Sequence, residues 1–266
     1  MFKQFFGLKC NPFTKEIPSE QIFESQDLAE LSSRLNYLQN TRGIGLLAGE
    51  PGSGKSTALR RYVSGLNPSL YKPCYFALST VTVLEFYQGL ALELGEQPKH
   101  KKVAIFHQIQ QAINTQYNER RITPVIILDE IHMVANKLLE ELRLIFNFKM
   151  DSQNPYVLIL AGQPLIRNKL SLNVNQPLKQ RLTVQYFMRG LKAEEMKDYC
   201  TTRLQLAGLH EEIFTPTALE TMYSITGGLP RLVNNLATAS LLYACGQKQR
   251  HIDEEAIYQA QGELNL

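Results

Sequence analysis

Gly49-Glu50-Pro51-Gly52-Ser53-Gly54-Lys55-Ser56 is the stretch on which the reading of this 266-residue chain turns. It fits the pattern G-x-x-x-x-G-K-[ST]. In that pattern the glycines let backbone N–H groups close around phosphate oxygens at a helix N-terminus, where the dipole favours anions. Lys55 then places a point charge on the β- and γ-phosphates, and the hydroxyl of Ser56 ligates Mg2+. Glu50, Pro51, Ser53 and Thr57 complete the phosphate-binding set. Context decides whether such a string means anything. Here the apolar run 43–48 precedes it and reads as a buried strand, and 56–64 reads as the helix it opens.

Working outward, apolar spacing predicts a helix over 27–38, with residues 1–25 irregular. Downstream, 73–78 and 124–128 read as strands, 156–161 as a fourth, and 185–188 as a short fifth. Helices are expected over 83–94, 103–117 and 137–148. Strand and helix alternate to about residue 190, which argues for a parallel, doubly wound α/β sheet. From there only helices follow, over 194–206, 217–225, 230–243 and 253–261. Thr215-Pro216 marks a helix start and Gly227-Gly228 a break. The expected organisation is therefore an α/β core over 1–190, including an N-terminal extension, and an all-helical lid over 191–266.

The second chemical element is Val125-Ile126-Ile127-Leu128-Asp129-Glu130. A buried strand that ends in two carboxylates is costly unless something uses their charge. Asp129 can hold Mg2+ opposite Ser56, and Glu130 can polarise the water that attacks the γ-phosphate. Helix capping is the plainer use for such residues, but the phosphate loop favours the catalytic one. No N-K-x-D string is present to read guanine, so ATP is the expected nucleotide.

Composition narrows the class less. Hydrophobic residues make up 44% and charged residues 20%, with a formal charge of +3. That is ordinary for a globular protein, and it permits nucleic-acid binding without demanding it. Four scattered cysteines form no zinc spacing and no disulfide framework. The N-terminus lacks a signal peptide's apolar core, and no run approaches the about 18 apolar residues of a membrane span. The expected location is cytoplasmic, with no membrane partner.

The order of these motifs resembles the AAA+ ATPases, of the additional-strand class of P-loop proteins, over nearly the whole chain. The resemblance implies a polar sensor after the fourth strand, at Gln163 in Leu160-Ala161-Gly162-Gln163-Pro164; a turn glutamine is the alternative. It implies an arginine finger offered to a neighbouring subunit, best matched by Arg181, with Arg167 and Arg189 as rivals. It also implies a second sensor at Arg231, which opens a lid helix. Phe13 and Phe23 are candidates to pack on adenine, or simply core aromatics.

More narrowly, Phe5-Phe6-Gly7-Leu8, Asn11-Pro12-Phe13, Asp129-Glu130-Ile131-His132 and Ala161-Gly162-Gln163-Pro164 are similar to the ExeA/GspA group. Secretion members of that group continue into a membrane span and a cell-wall-binding domain. The short members resemble transposition ATPases of the MuB and TniB type. The expectation drawn from them is a homo-oligomer, ring or filament, that binds double-stranded DNA with ATP and serves a DDE-type transposase. Candidate DNA contacts are Lys99, Lys101 and Lys102 in Lys99-His100-Lys101-Lys102, together with Ser79 and Thr80. A solvated basic loop is the alternative for that segment. The rival functions are a secretion-type ATPase at the envelope and a protein-remodelling ATPase that ignores DNA.

Overall fold

The computed structural model describes residues 2–78 and 81–265. Its helices are α1 (Phe2–Phe6), α2 (Gln26–Thr41), α3 (Lys55–Ser64), α4 (Val83–Glu93), α5 (Lys102–Asn114) and α6 (Asn136–Ile145). They continue with α7 (Leu165–Ser171), α8 (Gln176–Lys179), α9 (Met196–Leu206), α10 (Pro216–Thr226), α11 (Pro230–Gly246) and α12 (Glu254–Leu264). The strands are β1 (Gly43–Gly49), β2 (Tyr71–Ala77), β3 (Thr123–Asp129), β4 (Val157–Gly162) and β5 (Leu182–Met188). Two compact units result. One comprises Glu30–Glu50 and Tyr62–Met188, the other Met1–Ala29, Pro51–Arg61 and Arg189–Leu266.

The first unit is built on the five-stranded sheet, in the order β2-β3-β4-β1-β5 with every pairing parallel. All residues of β1, β3 and β4 are buried, because helices cover both faces of the sheet. That explains why these three strands read from sequence as unbroken apolar runs. The edge strands β2 and β5 alternate in exposure instead. Pro73 is tolerated in β2 because an edge strand needs ladder hydrogen bonds on one side only. The fifth strand is longer than its apolar reading, since its edge position asks for burial at only some of its residues. The core gathers Phe86 and Leu90 from α4, Ile105 and Ile109 from α5, and Leu138 and Leu142 from α6 against β3. β4 stands between β1 and β3, so the acidic strand and the strand that leads to the phosphate loop are not neighbours.

The second unit is helical, from α9 to α12, and it also holds the N-terminal segment. Phe6, Leu8 and Phe13 share a core with Leu204, Leu236 and Ile257. The buried Arg203 fastens that segment, with Nε donating to the Pro12 carbonyl at 2.7 Å and a terminal nitrogen to the Thr14 carbonyl at 2.5 Å. This segment, expected with the α/β core, packs with the helices instead. Phe13 meets Phe214 edge-on at 6.2 Å and is a core aromatic of the helical unit, whereas Phe23, half-buried, meets Tyr199 at 5.5 Å and packs against that core.

Gly227 and Gly228 both take positive φ at the end of α10. Gly228 is also crowded, since a Cβ there would stand 2.0 Å from the Leu191 carbonyl oxygen. The two residues are held together by a bond the other way, in which the Leu191 N–H donates to the Gly228 carbonyl at 2.8 Å. The short helices α1, α7 and α8 had no sequence signal, because fewer than about eight residues show too little periodicity to read. Among the described residues no helix is long and apolar enough to cross a membrane.

Candidate functional site

From Pro51 on, the phosphate loop belongs to the helical unit, and its geometry follows from its glycines. Gly52 and Gly54 take φ of +85° and +102°, values that side-chain-bearing residues rarely adopt. α3 begins at Lys55, and the first N–H groups of a helix have no acceptor within it. Ala58 N–H is bonded back to the Gly54 carbonyl at 2.9 Å, which sets the start of the helical ladder. Lys55 is buried and Ser56 exposed. The Ser53 side-chain oxygen is wholly buried and has no hydrogen-bond partner among the described residues. An orphaned buried hydroxyl inside a cradle of backbone N–H groups fits an anion with several acceptor oxygens.

Arg231 meets this loop directly. It sits in the first turn of α11, after Pro230, which is pre-set for a helix start. Its N–H donates to the Gly52 carbonyl at 3.2 Å. A Cβ on Gly52 would stand 2.8 Å from the Arg231 Cβ. Loop and lid arginine, 179 positions apart in sequence, are thus in contact.

The other candidate residues lie at the C-terminal edge of the sheet. The registers Ala77↔Asp129, Leu128↔Leu160 and Ala48↔Gly162 bring the ends of four strands level. Glu50, Asp129 and Gln163 therefore emerge at one edge, where open parallel sheets bind ligands. Asp129 is 4% exposed. One of its oxygens accepts the Tyr75 hydroxyl at 2.9 Å, the other the Glu130 N–H at 2.8 Å. Burial, and then the bond to Asp129, push the Tyr75 phenol up to about 12, so it remains a donor. Glu130 adopts φ 57°, a left-handed turn that ends the strand, and its side chain is half exposed. One carboxylate is therefore held rigid while the other reaches solvent. This suits a magnesium ligand beside a water-polarising base; Mg2+ usually takes one or two carboxylates plus phosphate oxygens.

Beyond Glu130, the His132 ring is buried, with Nδ1 3.3 Å from a Glu130 carboxylate oxygen. The same Nδ1 accepts the Gln163 N–H at 3.3 Å. Gly162 permits this close approach, since a Cβ there would lie 3.2 Å from the His132 nitrogen of the backbone.

Other expectations fare differently. The Arg181 guanidinium is committed to the first unit's own fold, donating to the carbonyls of Arg143 and Phe146 at 3.0 and 2.9 Å and to Asp151 at 2.5 Å. Arg167 and Arg189 are exposed. Lys99 and Lys101 are exposed, whereas Lys102, the first residue of α5, is paired with Glu141 at 2.5 Å. Ser79 and Thr80 lie outside the described residues; Thr82 caps α4 in a reciprocal box with Glu85. Tyr75, His132 and Lys169 were not singled out from sequence. Only His132 had a signal, its place in the Asp129-Glu130-Ile131-His132 string.

A family model for the AAA domain matches residues 38–170. General secretion pathway protein A of Aeromonas hydrophila is 31% identical over 250 residues, which covers 92% of this chain. The chain spans 45% of that relative's length. Among solved structures, Cdc6p from Pyrobaculum aerophilum superposes with a TM-score of 0.71 at 16% identity, over 95% of this chain and 70% of that one. The Aeropyrum pernix ORC1 protein in complex with DNA gives 0.65 at 18% identity, over 95% and 68%. At such identities the structures speak for the fold alone.

Proposed function

Because this chain belongs to the AAA domain family, as an ATPase of the ExeA/GspA-like kind, we propose that it binds ATP with Mg2+ on its phosphate loop and hydrolyses it. The observation that carries this reading is the contact of Arg231 with Gly52 beside a buried, partnerless Ser53 hydroxyl. In this reading residues 49–57 hold the phosphates, with Lys55 as their charge. Ser56 and Asp129 hold Mg2+, which when bound neutralises charge on the phosphates. Glu130 polarises the attacking water and takes its proton, Gln163 senses the γ-phosphate, and Arg231 reports nucleotide to the lid. The test is nucleotide binding and turnover by the wild type, Lys55→Ala and Glu130→Gln. Lys55→Ala should lose ATP, and Glu130→Gln should hold it without turnover. Tight ATP binding by Lys55→Ala would sink the phosphate-loop assignment.

The catalytic site is completed by a second copy of the chain, which supplies an arginine. With Arg181 already bonded, the exposed Arg167 and Arg189 are the better donors. ATP then favours assembly, and hydrolysis releases it.

The client is a secretion-envelope component or DNA. The first follows the 31% identical relative. The second, ATP-dependent and sequence-independent binding of double-stranded DNA in the service of a DDE-type transposase, is favoured by the exposed Lys99, His100 and Lys101. Binding to random-sequence DNA at low salt, with ATP, ADP or neither, separates them. Salt-sensitive binding that needs ATP and weakens in Lys99→Glu/Lys101→Glu supports DNA. Absence of binding in every state leaves the envelope or another protein client.

A further inference from the structure

We propose that His132 is a positioning residue for Glu130, choosing through its single Nδ1 between the Glu130 carboxylate and the backbone of Gln163. The proposal rests on the reading of Glu130 as the base and Gln163 as the γ-phosphate sensor.

Two partners compete for one nitrogen. The Gln163 N–H reaches Nδ1 at 3.3 Å, and a Glu130 carboxylate oxygen lies 3.3 Å from the same atom. A neutral imidazole carries one N–H and one lone pair. With the proton on Nε2, Nδ1 accepts Gln163 and presents only a lone pair to the carboxylate. With the proton on Nδ1, the ring donates to Glu130, and the Gln163 N–H must find another acceptor. Each arrangement excludes the other.

The surroundings leave the ring little else to do. Its side chain is 6% exposed. The Lys169 ammonium, from α7, donates to the carbonyls of His132 and Val134 at 2.6 and 2.7 Å, fixing the backbone on both sides of the turn. Gly162 brings the end of β4 against that turn, where even a methyl group would meet Ile131 at 3.0 Å. Movement of the Gln163 segment therefore reaches Glu130 through a fixed ring, by which partner Nδ1 serves. When the γ-phosphate draws Gln163 away, Nδ1 is released to hold Glu130 in one orientation. When Gln163 returns to Nδ1, Glu130 loses that donor, and its half-exposed side chain has room to turn to solvent.

The test compares wild type, His132→Phe, His132→Asn and Glu130→Gln, measuring ATP affinity and kcat separately. His132→Phe keeps the ring's bulk and removes Nδ1, so ATP affinity should stay within about threefold. Its kcat should fall about 10- to 100-fold, as for a displaced catalytic group. His132→Asn, which retains a donor and an acceptor near Nδ1, should recover most of that loss. In the wild-type protein, imidazole 15N shifts should report the proton on Nε2 without nucleotide and on Nδ1 with a non-hydrolysable ATP analogue. Full turnover by His132→Phe, or a tautomer indifferent to the analogue, would overturn the proposal even with Glu130→Gln inactive. Turnover by Glu130→Gln would instead remove the assignment of Glu130 as base on which the proposal stands.

Discussion

The Arg231 N–H donates to the Gly52 carbonyl at 3.2 Å, and the Arg231 Cβ occupies the space that a side chain on Gly52 would need. The lid helix α11 thus starts on the phosphate loop. If the loop binds phosphate as proposed, a change there would reach α11 through this hydrogen bond and this steric contact, among others.

Gly52→Ala should therefore impair the protein twice, through φ +85° and through a contact of 2.8 Å with Arg231. Backbone strain of this kind costs roughly 1–3 kcal/mol. Arg231→Ala should leave the fold intact, since its backbone bond is retained, but weaken the response of the lid to ATP. Limited proteolysis within 189–266, with and without nucleotide, reads this out. Equal ATP protection in Arg231→Ala and wild type would show that the arginine's side chain plays no part.

Arg181→Ala should behave as a stability variant. The Arg143 carbonyl and Asp151 lose this donor, and the Phe146 carbonyl is left with the Tyr156 hydroxyl at 2.9 Å. A loss of about 1–3 kcal/mol is expected from breaking this network, whose Asp151 end is half exposed, seen as a lower Tm. Arg167→Ala and Arg189→Ala should keep their Tm, and one of them should lose ATPase activity that depends on protein concentration.

The adjacent glycines 227 and 228 separate two costs. Gly227→Ala meets no atom within 4 Å and bears only the φ of +58°, about 1–2 kcal/mol. Gly228→Ala drives a Cβ to within 2.0 Å of the Leu191 carbonyl oxygen and should cost well above that, about 3 kcal/mol or more. Denaturant midpoints of the two variants check the order.

Lys102 and Glu141 give a pH signature. Burial raises the Glu141 carboxyl, but hydrogen bonds from Lys102 and Tyr87, with the charges of Lys102 and Lys137, outweigh it and hold the group below its ordinary value. A depressed carboxyl stabilises above its unfolded value and loses that contribution as pH falls through the folded one. Lys102→Ala should thus lower Tm at pH 7, by at most about 1 kcal/mol in stability for so exposed a lysine, and change it little near pH 3. Lys102 is for the same reason a poor control for DNA binding; Lys99 and Lys101 carry no such structural bond in their side chains among the described residues.

Thiol reactivity should be confined to Cys10. It is exposed, whereas burial pushes Cys74 up to about 11 and Cys200 up to about 12, and Cys245 is buried. A disulfide reagent at pH 8 should find one rapid thiol in the folded protein and four after denaturation. Fast reaction of Cys200 would mean that α9 opens readily.

Patterns that local chemistry must satisfy are legible in the residue order alone. A glycine-rich loop between strand and helix has few uses besides phosphate, and strands buried on both faces declare themselves as apolar runs. The four lid helices and their Thr215-Pro216 start were legible for the same reason, because helical burial repeats every turn. The position of Arg231 was readable from the Gly-Gly-Leu-Pro that precedes it, though its contact with Gly52 was not.

Partners that lie far apart in sequence are set by the fold. Arg181 looks like any exposed arginine until the carbonyls of residues 143 and 146 are placed around it. Phe13 is indistinguishable from an adenine-stacking ring until Phe214 meets its edge. Tyr75 becomes the partner of Asp129 only because β2 pairs with β3 in one particular register. His132 matters because Gly162, thirty positions later, lets another strand end close on it. Local patterns encode which groups are offered; which partner each one finds is set by strand order and packing, and those are properties of the folded chain.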